Sequence, residues 1–136
     1  MKKLLLSLLL SSGLVAANDY NKGVDAYKSG DYKSALQYWK PYADKGDAKT
    51  QYYIGNLYYE GKGNIEQDYK KALYWYREAA VQEHARSQLR IGLMYCKGEG
   101  VLKSFKNAAP YVRSAYENGC KKAPEAWNKY ELWKYE

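Results

Sequence analysis

The sequence holds few of the side chains that metal sites and most enzymes depend on. Among 136 residues there are one His, two Cys, three Pro and a single Phe. Two Cys and one His exclude most metal sites, which need three or four converging ligands. A single His also removes the usual general base of a nucleophilic triad. We therefore expect a small folded domain with no enzymatic activity, no metal and no cofactor.

Two short signatures of ligand chemistry are absent as well. No Ser is followed three positions later by Lys, so the Ser-x-x-Lys signature of serine β-lactam enzymes is missing. No Gly-Lys-Ser or Gly-Lys-Thr follows the glycines at 61, 63, 98 and 100, which are better interpreted as turn formers than as a phosphate loop. Basic residues alternate with acidic ones and form no stripe, so we expect no nucleic acid partner.

Tyrosine is what the chain has in excess, with 17 copies in a sequence that is 16% aromatic. Disordered chains are poor in aromatic residues, so this content predicts a folded domain. The length is that of one domain.

The first 17 residues have the three parts of a secretory signal peptide. Lys2 and Lys3 form a positive start, residues 4–10 form an apolar run, and Ala17 closes a stretch of small residues. The apolar run is far shorter than the about 20 residues that span a bilayer. We expect cleavage after Ala17, a periplasmic or secreted location, and no membrane insertion of the mature chain. Loss of the two lysines would lower the net charge of +7 by two.

Two pairs of similar segments recur at one interval in the remaining chain. DYKSALQYW begins at Asp31 and DYKKALYWY at Asp68, while IGNLYYEGKG begins at Ile54 and IGLMYCKGEG at Ile91. Both offsets are 37 residues, and each unit consists of a helical pattern, a glycine turn and a second helical pattern. One helix pair cannot bury both its faces, whereas stacked pairs can. The sequence therefore predicts an all-α fold, a short right-handed α-solenoid of helix-turn-helix repeats.

At these motifs the chain resembles the Sel-one-like repeat family, which is related to tetratricopeptide repeats. The similarity rests on Ala-x-x-Gln, Ile-Gly, Tyr-x-x-Gly-x-Gly and a Lys-x-Ala or Lys-Asn-Ala second helix in two units, 48–84 and 85–120. Residues 18–47 resemble a tetratricopeptide-like helical pair with a shorter turn. The resemblance implies a small exported bacterial member of the family whose task is protein binding.

Three features depart from a plain array of such repeats. Asn64 stands where the family usually has Val, and Pro110 falls inside the second helix of the third unit, which should kink or start late. Residues 121–136 should form a capping helix that covers the last unit, with Pro124 in its first turn. The aromatic and aliphatic side chains expected to cover that end are Trp127, Tyr130, Leu132, Trp133 and Tyr135.

The cysteines and the histidine lie near helix ends. An exported chain with two Cys suggests a disulfide, but helix geometry separates Cys96 from the expected position of Cys120 by about 15 Å. Free thiols or an intermolecular bond remain the alternatives to a Cys96–Cys120 bond. His84 lies in the turn between two units, where we expect a solvated position without a catalytic role.

Comparison of the units separates packing positions from variable ones. Matched positions such as Ile54 and Ile91 should pack, whereas positions that differ between units should line the concave face formed by the first helices. Tyr and Arg, which are enriched at binding hot spots, occur among them. The predicted binding residues are Tyr53, Asn56, Tyr59, Arg90, Leu93 and Lys97, joined by Lys22 and Asp25 from the first unit.

Three functions are compatible with these patterns. The first is an exported, non-catalytic scaffold or adaptor that binds a protein with an acidic or mixed surface. The second is a periplasmic inhibitor or immunity protein that binds a toxin, a role in which the resembling family is found. The third is a β-lactam-binding or hydrolysing enzyme, as described for cysteine-rich relatives, for which Ser87, Tyr95 and Lys97 would be the candidate residues.

Overall fold

The computed structural model describes residues 18–136, which form helices and turns with no β-strand in that range. The predicted signal peptide lies outside the described residues. Consecutive helices pair into three units and a terminal segment, as the repeat predicts. The helices are α1 (18–28), α2 (Tyr32–Asp44), α3 (Ala48–Glu60), α4 (Tyr69–Ala80), α5 (Ala85–Lys97), α6 (Phe105–Glu117) and α7 (Ala123–Lys129), followed by a 3-10 turn at Leu132–Tyr135.

Each helix from α2 to α6 starts at a residue whose side chain accepts a hydrogen bond from the backbone N–H three positions later. These N-cap residues are Asp31, Asp47, Asp68, His84 and Ser104. The first helices of the second and third units end at Gly61 and Gly98, both in the left-handed conformation that glycine adopts without strain. The first unit has a tighter turn, because only residues 29–31 join its two helices.

A glycine in the middle of each first helix lets one large or branched side chain of the second helix reach the backbone. A Cβ atom added at any of these glycines would lie 2.4–2.6 Å from that side chain, so a larger residue does not fit. The pairs are Gly23 with Trp39, Gly55 with Tyr76, and Gly92 with Val112. Because this glycine contact recurs in all three units, it shows which residues of the shorter first unit correspond to those of the other two.

Buried side chains concentrate where one unit meets the next. We call the boundary between the first and second units the first junction and that between the second and third units the second junction. The first junction buries Ile54 and Leu57 against Trp39, and the second buries Ile91 and Met94. A third cluster joins α5 and α6 to the C-terminal segment. The core therefore runs along the solenoid.

A buried glutamine crosses each junction. The Nε2 of Gln51 donates to the carbonyl oxygen of Ala43 at 2.9 Å, and that of Gln88 donates to Ala80 at 3.3 Å. Both carbonyls lie in the last turn of a second helix, and each also accepts a backbone N–H from the turn that follows, that of Gly46 or Glu83, at 3.0 Å. Each glutamine Oε1 in turn accepts a 3.0 Å hydrogen bond from a side chain just beyond the second helix of its own unit. The donor is Gln82, two residues after α4, in the second unit and Asn118, directly after α6, in the third. We call this arrangement the glutamine clasp.

The structure shows how the chain accommodates Pro110 and Asn64, its two departures from the usual repeat. The helix that holds Pro110 runs from Phe105 to Glu117 without interruption, so the expected late start is wrong. Pro110 lies on the exposed side, where the carbonyl that lacks its donor can bond water. Asn64 caps the preceding unit, because its Oδ1 accepts the N–H of Lys33 in the first turn of α2 at 3.0 Å. A Val at this position could not do so.

The C-terminal segment caps the third unit in two pieces rather than as one helix. Pro124 occupies the first turn of α7 as expected. Leu132 in the 3-10 turn is fully buried, and Trp127 and Tyr130 are half-buried against the third cluster. Trp133 keeps 47% of its surface exposed, so it covers the end less than the sequence predicted.

Candidate functional site

The predicted binding residues lie on the first helices of the three units, but most are half-buried rather than freely solvated. The half-buried members are Tyr53, Asn56, Tyr59, Arg90 and Leu93, and the exposed ones are Lys22, Asp25 and Lys97. We call the side of the solenoid on which Tyr59 and Arg90 lie the first-helix face.

Tyr59 and Arg90 meet across the second junction. The guanidinium carbon of Arg90 lies 5.7 Å from the centroid of the Tyr59 ring, within the range of a cation–π contact. The Tyr59 hydroxyl donates to the carboxylate of Glu99, with 2.9 Å to either oxygen. Burial and the hydrogen bond to Glu99 raise the pKa of Tyr59, so the phenol keeps its proton and remains a donor. The cluster joins α3, α5 and the turn after α5.

Arg90 is the group in this cluster with the most capacity left for a ligand. Within residues 18–136, no Asp or Glu oxygen lies within 4.0 Å of its guanidinium. Burial lowers its pKa, but the phenol groups of Tyr76, Tyr52 and Tyr59 outweigh this effect, and the net shift is upward. A half-buried guanidinium without a carboxylate can accept one from outside in a bidentate contact.

Two other predicted residues have structural contacts that the sequence did not suggest. The Tyr53 ring lies 5.7 Å from that of Trp39, with Lys49 above it at 5.9 Å. The Oδ1 of Asn56 accepts a 2.6 Å hydrogen bond from the fully buried Tyr76 hydroxyl. This side of α3 is therefore partly covered from within the chain, because side chains of the second helices reach through to it.

Leu93 and Lys97 continue along α5 toward the C-terminal segment. Together with Leu89 they line one wall of a groove of about 250 Å³, whose other wall is α7. Lys97 remains exposed, with its Nζ 3.9 Å from Glu99. The predicted stripe therefore reaches the cap.

Lys22 and Asp25 are not brought together with the other six. Gly23 holds in the first unit the position that Gly55 holds in the second, since each faces a large ring of its second helix. Lys22 and Asp25 therefore correspond to Ile54 and Leu57, which are packing positions. Both side chains are exposed, and Lys22 pairs with Asp19 at 3.5 Å.

His84 belongs to a helix cap. Its Nδ1 accepts the backbone N–H of Ser87 at 3.3 Å and lies 2.9 Å from the Ser87 hydroxyl. Asp47 and Thr50 form the same pair one unit earlier. His84 is half-buried, with its ring 5.0 Å from that of Tyr52, so the expected solvated position is wrong. Since Ser87 is fully buried, its hydroxyl is closed to a substrate.

The two cysteines are not bonded to each other in the structure. Cys96 is buried in the third cluster, and Cys120 is half-buried against it. Burial raises the pKa of Cys96 to about 11. The thiol therefore stays protonated near neutral pH and is a poor nucleophile.

Sequence reasoning missed Glu99 and the glutamine clasp. Glu99 belongs to the glycine turn, and only the stacked units bring it to Tyr59, 40 positions earlier in the chain. One signal was available: the matching position in the second unit is Lys62, with the opposite charge. The glutamines stood in the recognised Ala-x-x-Gln motif, but their role depends on which helix end they face.

No group of three or more His, Cys, Asp or Glu side chains within residues 18–136 is arranged to hold a metal ion. None of the helices in that range is long and apolar enough to cross a membrane.

A family model described as the Sel1 repeat matches residues 13–47, 48–84 and 85–120. The chain belongs to the Sel1 repeat family. The first unit, which we compared with a tetratricopeptide pair, is thus also matched as a Sel1 repeat. The fold of this family is typical of scaffolds for protein–protein interaction. No curated protein matches the chain.

Two solved structures share the Sel1 repeat fold with this chain. One is c5321, described as a protective antigen present in uropathogenic Escherichia coli strains and displaying an SLR fold. It is 28% identical with a TM-score of 0.75, over 85% of this chain and 26% of that one. The other is a Sel1 repeat protein from Oxalobacter formigenes, 32% identical with a TM-score of 0.70, over 79% of this chain and 46% of that one. The chain spans less than half the length of either structure.

Proposed function

We propose that this chain is an exported, non-catalytic scaffold that binds another protein through the first-helix face at the second junction. Arg90 carries this proposal. It is a half-buried cation held over the Tyr59 ring, without a carboxylate within 4.0 Å among residues 18–136. Charges that are removed from water are normally paired. A partner carboxylate would supply the missing pair.

The surroundings of Arg90 suit a binding role. Tyr59 is fixed by its hydrogen bonds to Glu99, so the aromatic surface beneath the guanidinium is already ordered before a partner arrives. Preordered contact groups lose little entropy on binding. Tyr and Arg are also the residue types that dominate binding energy at protein interfaces.

The proposal of export rests on the signal-peptide pattern of residues 1–17. The proposal that the chain is non-catalytic rests on the contacts made by the side chains that catalysis would need. The one hydroxyl next to the one histidine, that of Ser87, is fully buried and takes part in a helix cap. Lys97 and Tyr95, the other candidates for β-lactam chemistry, have structural contacts instead: Lys97 lies 3.9 Å from Glu99, and the Tyr95 hydroxyl accepts a hydrogen bond from Arg77.

The test is a capture experiment with residues 18–136 immobilised and an envelope extract of the source organism. Bound proteins are identified by mass spectrometry, and their amounts are compared with those bound by Arg90→Leu, which keeps an apolar stem over the Tyr59 ring and removes the charge. The matched control is Arg77→Leu on α4, where Arg77 is exposed. We expect at least tenfold less partner on Arg90→Leu and an unchanged amount on the control.

Equal capture by all three proteins would contradict the assignment of the binding face. The identity of the captured protein separates an adaptor, which would retain an envelope component, from an inhibitor, which would retain a toxin. Hydrolysis of nitrocefin by the purified chain, abolished by a point substitution, would overturn the non-catalytic part of the proposal.

A further inference from the structure

The groove between α5 and α7 places lysines around an apolar floor. Leu89, Leu93 and Tyr130 contribute apolar surface, and Lys97, Lys122 and Lys129 contribute charge. The groove belongs to neither the glutamine clasp nor the Tyr59 cluster. It combines a helix of the third repeat with the segment that caps it.

Each wall of the groove is a regular stripe on its helix. Leu89, Leu93 and Lys97 follow one another at intervals of four residues on α5. Lys122, the N-cap residue of α7, and Lys129, the last residue of that helix, lie seven apart. Residues three, four and seven positions apart share one face of a helix. The two stripes therefore face each other along the groove.

The helix directions fix where the charges lie. The turn after α5 brings the end of that helix to the start of α6, where Ser104 N–H donates to the Tyr95 carbonyl at 3.0 Å. At the same end, the Phe105 ring lies 6.1 Å from that of Tyr130, which directly follows α7. Lys97 and Lys129, which end α5 and α7, thus lie at one end of the groove, and Lys122 lies at the other.

The positive charge of the groove is largely uncompensated. Within the described part of the chain, no carboxylate oxygen comes within 4.0 Å of Lys122 or Lys129, and Lys97 reaches Glu99 only at 3.9 Å. Glu125 is the one acidic residue among those that line the groove. Like charges arranged around a concave apolar surface favour an occupant of the opposite charge.

We propose that this groove binds a short acidic peptide segment of the partner protein, with an apolar side chain on the leucine floor and carboxylates at the two lysine ends. From Leu89 to Lys97 the helix rises about 12 Å, which corresponds to about four residues of extended peptide at about 3.3 Å each. The inference rests on the proposed function and names the partner chemistry. It also makes the C-terminal segment part of the binding site as well as a cap.

A nucleic acid is the less suitable occupant. Single strands are held by successive bases stacked on aromatic rings, whereas the floor of this groove is mainly leucine, with Tyr130 as its one ring. A free inorganic anion would leave the apolar floor unused. An acidic peptide with an apolar side chain uses both parts.

The experiment is a selection from a displayed library of random dodecapeptides on immobilised residues 18–136. The enriched peptides are then measured by fluorescence anisotropy against three proteins. These are the wild type, the groove variant Lys122→Glu with Lys129→Glu, and the control Lys70→Glu with Lys106→Glu. All four lysines are exposed, and both double variants change the net charge equally, but Lys70 and Lys106 lie in the first turns of α4 and α6.

We expect the enriched peptides to carry two or more acidic residues around an apolar one. The groove variant should bind them at least tenfold more weakly and the control within twofold, with unchanged circular dichroism for both. Enrichment of peptides without acidic residues, or equal affinity for the two variants, would overturn the inference. So would tighter binding of a polythymidine strand than of the selected peptides, with the same loss in the groove variant. Partner capture that depends on Arg90 but not on Lys122 and Lys129 would overturn it and leave the proposed function standing.

Discussion

The two junctions of the solenoid share a framework and differ in the residues beside it. At each junction a buried glutamine crosses to the last turn of the preceding helix. On the first-helix face, however, Tyr59, Tyr69, Arg90 and Glu99 at the second junction correspond to Tyr27, Tyr32, Tyr53 and Lys62 at the first. The aromatic pairs are similar, with ring centroids 5.2 Å apart in both.

The two junctions differ most in their charged residues. Glu99 reaches back to the preceding unit and accepts the Tyr59 hydroxyl, whereas Lys62 pairs within its own unit, 3.0 Å from Glu60. Tyr53 fills the place of Arg90 with a ring, and Tyr27 keeps 40% of its surface exposed. Hydrogen bonds to backbone carbonyls hold the units together and leave the neighbouring side chains free to vary. That freedom is what a repeat protein needs in order to acquire a partner.

The largest effect is expected in the shared framework. Tyr76 is fully buried against Gly55, so Tyr76→Ala should lower the free energy of unfolding by about 3–5 kcal/mol. Tyr74→Ala, two positions earlier with a 56% exposed ring, should change it by less than about 0.5 kcal/mol. Urea titration followed by circular dichroism measures both. Similar losses in the two variants would mean that the helix faces have been assigned wrongly.

Loss of the glutamine clasp should lower the free energy of unfolding by the next largest amount, and by a similar amount at both junctions. Gln51→Ala and Gln88→Ala each remove two hydrogen bonds made by a buried side chain, which costs about 1–3 kcal/mol in total. Gln37→Ala on the exposed side of α2 is the control and should be nearly neutral. If one of the two clasp variants were as stable as the wild type, the junctions would not share their framework.

Removal of a tyrosine hydroxyl should lower the free energy of unfolding at the second junction and leave it nearly unchanged at the first. Tyr59→Phe removes the donor to Glu99 and should cost about 1 kcal/mol, whereas Tyr27→Phe should cost less than about 0.5 kcal/mol. A double-mutant cycle with Glu99→Ala, which removes the acceptor, isolates the pair. Absence of coupling between Tyr59 and Glu99 would remove the main difference between the junctions.

The smallest effect concerns pH, because the cap of α5 is His84 and the cap of α3 is Asp47. Burial lowers the pKa of His84 below its ordinary value of 6.5, so the unfolded chain binds the proton more readily than the folded one. The stability contributed by His84 is complete above about pH 6.5 and is lost as the pH falls below it. His84→Asn, whose side chain caps a helix without titrating, should reduce this loss.

Thermal melting of both proteins from pH 7.5 to pH 5 measures that loss. A cap is worth about 1 kcal/mol, which sets the scale of the difference between them. Identical pH dependence in the wild type and His84→Asn would mean that His84 does not cap α5 through its neutral ring.

The repeat and its helices could be predicted from the sequence because they depend on local patterns. The 37-residue offset, the glycine turns and the packing of Ile54 and Ile91 all follow from spacing within one unit. Contacts between units could not be predicted in this way. The bond from Glu99 to Tyr59 and the clasp of Gln88 depend on how one unit is rotated against the next, which no single helix pattern encodes.

The burial of the predicted binding residues could not be read from the sequence for the same reason. Positions that differ between units are expected to line a concave binding face, and Tyr53 and Asn56 also meet different neighbours from the second helices. Arg90 is the predicted residue whose half-buried charge remains unpaired within the described range. Variation between repeats therefore indicates either a partner outside the chain or a changed neighbour inside it.

The most direct test of the division between framework and binding face compares Gln88→Ala with Arg90→Leu, two positions apart on α5. The melting temperature and the amount of captured partner are measured for both at a temperature where both are folded. We predict that Gln88→Ala lowers the melting temperature and captures partner as the wild type does. Arg90→Leu should melt within a few degrees of the wild type and capture at least tenfold less partner. The reverse pattern, with Arg90 needed for stability and Gln88 for capture, would contradict the division.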